Sequence, residues 1–200
     1  MSPSTILLFP MSQPSLEIDH IFVFVTPEAG EDPQEARRLN EAGFQESYRR
    51  NHPGQGTSNI CYCFDNAYLE LLWVNDEDAV RSDLISNTHL AERSLWRGLG
   101  TSPFGLALRP QIPFKTWDYC PPYLPEGMFI PVARSSLDPL QPFIFNSPGG
   151  KRPDSWESAR AKKRQAGIGI SEISHLQLEI PSNIPFNEDL VCLETKGLIT

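Results

Sequence analysis

The stretch from His52 to Val74 reads His-Pro-Gly-Gln-Gly-Thr-Ser-Asn-Ile-Cys-Tyr-Cys-Phe-Asp-Asn-Ala-Tyr-Leu-Glu-Leu-Leu-Trp-Val. Two runs within it, Asn59–Phe64 and Ala67–Val74, are rich in aromatic and aliphatic side chains and are separated only by Asp65-Asn66. Asp and Asn tolerate the left-handed backbone of a tight turn, so the two runs are expected to pair as a β-hairpin. In the second run Glu70 stands between Leu69 and Leu71. Side chains alternate across a strand, which puts Glu70 on one face with Tyr68 and Leu72. A carboxylate on such a face needs a hydrogen-bonding partner, a proton or a metal ion.

The chain has 200 residues, 40% hydrophobic and 21% charged, which suits one globular domain or two small modules sharing a core. A formal charge of −8 argues against nucleic acid and anionic membrane surfaces as partners, because both are recognised through basic patches. A small molecule is the expected partner. Cys61 and Cys63 share a strand face, Cys120 and Cys192 are isolated, and no CxxC pair occurs, so reduced thiols in a cytoplasmic protein are expected. Residues 1–15 carry the short apolar run Ile6-Leu7-Leu8-Phe9 with no basic residue before it, too short for a signal sequence or a span. They read as a loose tail. Nineteen prolines predict a loop-rich second half.

Upstream of the hairpin, Leu16–Val25 (Leu-Glu-Ile-Asp-His-Ile-Phe-Val-Phe-Val) has the composition of a strand buried on both sides. Parity places Ile18, His20, Phe22 and Phe24 on one face. His20 is then an imidazole in an apolar face, either a hydrogen-bonded core residue or a ligand. Asp32-Pro33-Gln34-Glu35 reads as a helix start with Asp32 as N-cap, and Gly43 as its stop, with Phe44 folding back. An extended segment and the His52–Asn59 loop lead into the hairpin, giving the order β-α-β-β-β for residues 16–74.

Downstream, a helical segment to about Arg97 is expected to bury Leu84, Ile85, Leu90 and Leu95, and Pro103–Leu108 reads as a second buried strand. Proline-rich irregular structure should follow, with strand pieces near Met128–Ala133 and at Pro142–Phe145. The basic run Asp154–Gln165 reads as a solvated helix or loop. Ile173–Ile180 alternates, with His175, Gln177 and Glu179 on its polar face, and Asp189–Glu194 looks like a final strand.

Leu16–Val25 resembles the opening strand of the vicinal oxygen chelate superfamily, which includes glyoxalase I, fosfomycin- and bleomycin-resistance proteins and extradiol dioxygenases. Arg50–Asn59 followed by Tyr68-Leu69-Glu70-Leu71 is similar to a glyoxalase-like branch with an Arg-x-His-Pro-Gly-x-Gly-Thr-x-Asn loop and a Tyr-Leu-Glu-Leu strand. The resemblance implies an α+β fold, in which paired βαβββ modules form a curved mixed sheet around a cavity, here with proline-rich irregular insertions. The first module would span about 16–75, a connecting helical segment 76–101, and a less regular second module about 102–200. It also implies a first-module metal pair, His20 and Glu70, for a divalent ion such as Zn, Mn, Ni or Fe. In the second module the matching histidine position is Phe104 or Gly105 and no matching glutamate is identifiable, so His52 or His175 is the candidate third ligand. The other reading is a metal-free acid/base pair of His20 and Glu70. His52 either handles a proton or substrate at the cavity rim or caps the loop, and Gly54 and Gly56 allow close backbone approach. The implied function is a metal-dependent lyase, isomerase or dioxygenase-like enzyme acting on a small oxygenated molecule held by Phe22, Phe24, Tyr68 and Leu72. The alternative is a small-molecule sequestration protein of the same fold. Modules of this kind pair within one chain or between chains, which leaves a homodimer open.

Overall fold

A computed structural model describes residues 15–200, apart from the side chains at positions 161 and 162. The expected N-terminal tail thus lies, up to residue 14, outside the described residues. The chain opens with β1 (Glu17–Phe24), α1 (Gln34–Glu41), β2 (Tyr48–His52), β3 (Thr57–Cys63) and β4 (Tyr68–Val74). This is the β-α-β-β-β order read from the sequence. β3 and β4 pair antiparallel with Cys63 opposite Tyr68, and the Phe64 N–H donates to the Ala67 carbonyl at 2.8 Å to close the turn. Four short helices follow: α2 (Glu77–Val80), α3 (Asp83–Ser86), α4 (Leu90–Ser94) and α5 (Trp96–Leu99). The second half holds β5 (Phe104–Arg109), β6 (Thr116–Tyr119), β7 (Ile130–Ala133), β8 (Phe143–Asn146) and α6 (Glu188–Thr195).

All eight strands join one curved mixed sheet in the order β2-β3-β4-β1-β5-β8-β7-β6. β1 runs parallel to β4 as β5 does to β8, and β1 meets β5 antiparallel at the centre. A pseudo-twofold axis between β1 and β5 therefore exchanges the two halves, and the fold is α+β. On the outer face of the first half α1 lays Ala36 and Leu39 on Val25, Ile60, Tyr62 and Leu71. The second half has no helix between β5 and β6. Its outer face is covered instead by α6, whose Leu190 and Leu193 pack on Leu106, Leu108 and Ile144. The inner face carries Phe22, Leu72, Tyr119, Phe143 and Phe145, roofed in part by Val80, Ile85 and Leu90 of the connecting helices.

Several expectations are corrected. Asp189–Glu194 is helical within α6: the Asn187 side chain caps it by accepting from the Leu190 N–H at 3.0 Å, and Gly197 at φ +69° follows its end. Asp32 does not cap α1, because its carboxylate is taken by Arg49. Ile173–Ile180 joins no sheet, although Ile173, Leu176, Leu178 and Ile180 do turn inward against the α6 cluster. Ile85 and Leu90 are buried as expected, whereas Leu84 and Leu95 are exposed. Strand β6 was not foreseen. The close backbone approach expected at Gly56 is present: a Cβ there would lie 2.3 Å from the Asp76 carbonyl oxygen.

Arg93 locks the connector to the second module. Its side chain is fully buried and donates to the backbone carbonyls of Thr88, Ser102, Ser136, Asp138, Pro139 and Gln141. Burial lowers its pKa to about 10. All four cysteines are free thiols, and no helix among the described residues is long and apolar enough to cross a membrane.

Candidate functional site

The concave face of the sheet encloses a cavity of about 540 Å³. The β1–β5 ladder skips Asp19, so a bulge turns the Asp19 carboxylate to the same side as His20. Asp19 Oδ1 lies 2.7 Å from His20 Nδ1, and Asp19 Oδ2 accepts from Arg109 at 3.0 Å. Burial pushes the Asp19 carboxyl up, but His20, Ser147 and Arg109 together hold it below its usual value. An ionised Asp19 makes Nδ1 of His20 the protonated nitrogen and leaves Nε2 facing the cavity. The His20 ring is further fixed by stacking on Tyr68, centroid to centroid 4.3 Å, and by the edge of Phe145 at 5.3 Å.

His20 and Glu70 meet across the β1–β4 ladder as the sequence suggested. Nε2 of His20 stands 3.6 Å from Glu70 Oε2, and Glu70 Oε1 accepts from Asn59 Nδ2 at 2.6 Å. Both side chains are buried. A distance of 3.6 Å is longer than a hydrogen bond. Two buried acceptors that far apart are suited to share a proton delivered by a bound molecule.

His52 is at the end of β2, buried at 7% exposure, and lines the same cavity. A directional chain reaches it: the Tyr119 hydroxyl donates to Gln55 Oε1 at 2.7 Å, Gln55 Nε2 donates to Thr57 Oγ1 at 2.7 Å, and Thr57 Oγ1 lies 2.9 Å from His52 Nδ1. With the Thr57 hydroxyl donating, His52 carries its proton on Nε2. Burial lowers its pKa, so the ring is neutral near pH 7.

Of the expected contact residues, Phe22, Tyr68 and Leu72 line the cavity, whereas Phe24 is in the core beneath it. His175 is exposed, 3.0 Å from the Thr200 hydroxyl, and is not brought to the cavity. Sequence reasoning missed Asp19, Tyr48, Arg50, Trp156 and Arg160, all of which line it. The signal available for Asp19 was its place beside His20; the others come from segments whose meeting only the tertiary fold reveals.

Residues 18–111 match the family model of a glyoxalase-like domain. Over these residues, just under half of its length, the chain is similar to a glyoxalase-like domain. The matched residues hold the opening strand, the His-Pro-Gly loop and the Tyr-Leu-Glu-Leu strand, on which the resemblance to the vicinal oxygen chelate superfamily rested. No curated protein matches the chain. Among solved structures, a methylmalonyl-CoA epimerase in complex with methylmalonyl-CoA and NH4+ aligns at 11% identity with a TM-score of 0.38, covering 70% of this chain and 100% of that one.

The register of the sheet decides how far the donors of the cavity suit a metal. In the β1–β5 ladder His20 lies opposite Ala107 and Phe22 opposite Gly105. The pseudo-twofold exchanges these pairs, making Gly105 the counterpart of His20 and Ala107 that of Phe22. Phe22 neighbours Glu70, and Ala107 neighbours Phe145, so Phe145 is the counterpart of Glu70. Neither Gly105 nor Phe145 offers a donor, and a Cβ on Gly105 would lie 2.0 Å from Phe22 Cε1. The second half of a ligand set is thus filled by the Phe22 and Phe145 rings. Among the described residues no group of three or more His, Cys, Asp or Glu converges as a metal site. Two donors do not fit a resident divalent ion.

Proposed function

We propose that the cavity is the active site of a proton-transfer enzyme, an isomerase or lyase acting on a small oxygenated molecule. The observation that carries this reading is the line Asp19–His20–Glu70 ending in the cavity, with neutral His52 in the same cavity. Asp19 holds the Nδ1 proton of His20, so Nε2 takes a proton from a carbon next to a carbonyl. The imidazolium formed stands between the Asp19 and Glu70 carboxylates, which stabilise it. The electron pair of the broken C–H bond moves onto the carbonyl oxygen, where Nε2–H of His52 donates to the developing charge. Return of the proton from His20 to the same or the neighbouring carbon closes an isomerisation; loss of a leaving group from the enolate gives a lyase. The four free thiols support a cytoplasmic setting.

The test is solvent deuterium uptake at such carbons, followed by NMR over a panel of small 2-oxo acids and hydroxy ketones, with metal content measured on the same protein. His20→Gln is expected to slow exchange by about 10²- to 10⁴-fold, and a chelator to leave it unchanged. Failure of every panel member to exchange faster than in buffer overturns the reading. Stoichiometric metal that disappears in both His20→Ala and Glu70→Gln would restore the metal-dependent alternative. A second reading, capture of a small molecule without turnover, is favoured by the apolar residues Gly105 and Phe145 at the mirrored positions; it expects binding without exchange.

A further inference from the structure

The mouth of the cavity has a chemical character that the proton-transfer pair does not use. Arg50 from β2, Lys151 from the loop after β8, and Arg160 from the segment beyond it all line the opening, exposed on their outer side. None of the three forms an ion pair with a carboxylate among the described residues. By contrast Arg37, Arg49, Arg81, Arg97, Arg109 and Arg152 each do. Among the described residues Arg38, Arg134, Lys115 and Lys196 also form no such pair, so what marks Arg50, Lys151 and Arg160 is that they converge on one opening in a chain of net charge −8.

Two of them are held against the wall. The Arg160 guanidinium lies over the Tyr48 ring, 5.4 Å from its centroid, and Arg50 is close enough to His52 to contribute to lowering its pKa. The one carboxylate that lines the mouth with them is Glu157, while Asp19 and Glu70 are deeper and already engaged by Arg109 and Asn59. Between mouth and floor the wall is aromatic: Trp156 packs against Tyr68 at 5.7 Å and against Tyr48 at 6.3 Å. From the opening inward the cavity therefore presents cations, then ring faces, then His52 with His20 and Glu70.

We propose that this opening is a carboxylate subsite, and that the substrate is a small 2-oxo acid with an apolar or aromatic body. Its carboxylate meets Arg50, Lys151 and Arg160, its body lies on Tyr48, Tyr68 and Trp156, and its carbonyl faces His52. The reaction part rests on the proton-transfer reading above; the recognition part is measured without it. An Arg fork makes charge-assisted, two-pronged contact with a carboxylate, which sets the size of the expected effect.

Calorimetric titration of the full chain with phenylpyruvate, its neutral amide and phenyl phosphate tests the subsite, alongside Arg50→Gln, Arg160→Gln and, as a surface control, Arg81→Gln. Phenylpyruvate is expected to bind about tenfold or more tightly than the amide, to lose about five- to tenfold in either cavity variant, and to be unaffected by the control. The amide should bind all four proteins alike. Binding is read as heat and needs no turnover, so binding of phenylpyruvate without exchange by the parent counts against the proton-transfer reading and not against the subsite. Equal affinity for acid and amide, unchanged affinity in both cavity variants, no binding of phenylpyruvate at millimolar concentration, or tighter binding of phenyl phosphate would each overturn the assignment.

Discussion

Gly105→Ala examines the pseudo-symmetric account of the site at its tightest point. The added Cβ would stand 2.0, 2.3 and 2.5 Å from three atoms of the Phe22 ring. That ring cannot swing aside freely, since it packs against Phe24, Phe143 and Phe145 with centroids 5.8, 6.0 and 6.2 Å away. Overpacking of this kind costs about 1–3 kcal/mol. Phe22→Ala alone removes the ring and costs about 3–5 kcal/mol through the space it leaves. In the Phe22→Ala background the new methyl meets no ring, and replacing Gly by Ala in an extended strand even gains about 0.4–1 kcal/mol from the unfolded state. The double variant should therefore be less destabilised than the sum of the singles, with a coupling of roughly 1–3 kcal/mol. Urea unfolding measures this: the Gly105→Ala midpoint should fall by about 1 M for a slope near 2 kcal/mol/M, with the slope unchanged. A Gly105→Ala protein as stable as the parent, or one equally damaged with and without Phe22, would refute the claim that Phe22 fills the position mirrored from His20.

Arg93→Met keeps the bulk of the side chain but leaves six carbonyl contacts unmet, and is expected to lower stability by about 3–5 kcal/mol in the same urea assay; a loss under about 1 kcal/mol would show that the guanidinium is not what ties the connector to Ser136–Gln141. For pH, burial holds the folded His52 below its ordinary 6.5, so the unfolded chain binds the extra proton first. Its contribution to stability is present above pH 6.5 and is lost as pH falls through the folded value. Asp19, held below 3.8, adds a second loss as pH falls further, below the carboxylate range. His52→Gln should flatten the first leg only, and superimposable pH profiles of parent and variant would contradict the assignment.

The first half of the fold is legible because its signals are local. The Asp65-Asn66 turn sets the hairpin, and strand parity alone puts Glu70 on the Tyr68 and Leu72 face, where β1 brings His20 alongside. The second half is less legible because its signals are tertiary. β6 lies among prolines and is held by pairing with β7. Asp189–Glu194 holds the continuous apolar run Leu190-Val191-Cys192-Leu193, which imitates a short buried strand, yet Asn187 at the cap, acidic residues in the first turn and Gly197 beyond the end are helix signals that this run outweighed. Arg50 and Arg160 are far apart in the chain, so no spacing rule joins them; the basic run that reads as a solvated face instead supplies Arg160 to the cavity and Arg164 to Asp65.

The two halves of the sheet share a backbone plan and differ in what they ask of it. In the first half the inner face keeps the polar residues His20, Asn59 and Glu70, and α1 follows β1 directly to cover the outer face. In the second half Gly105, Ala107, Phe143 and Phe145 make the inner face apolar, and the outer face waits for α6, the last element of the chain. The intervening chain between β8 and α6 is thereby free to cross the cavity mouth, where it places Lys151, Trp156 and Arg160. With α6 rather than a helix between β5 and β6 covering the outer face, the segment between β8 and α6 completes a cationic, aromatic rim begun by Tyr48, Arg50 and Tyr68. On the proposed reading the proton chemistry falls to the first module, while the rim joins Tyr48, Arg50 and Tyr68 of the first module to Lys151, Trp156 and Arg160 from beyond β8. Substitutions at the rim should accordingly act on binding, and those at Asp19, His20 and Glu70 on turnover.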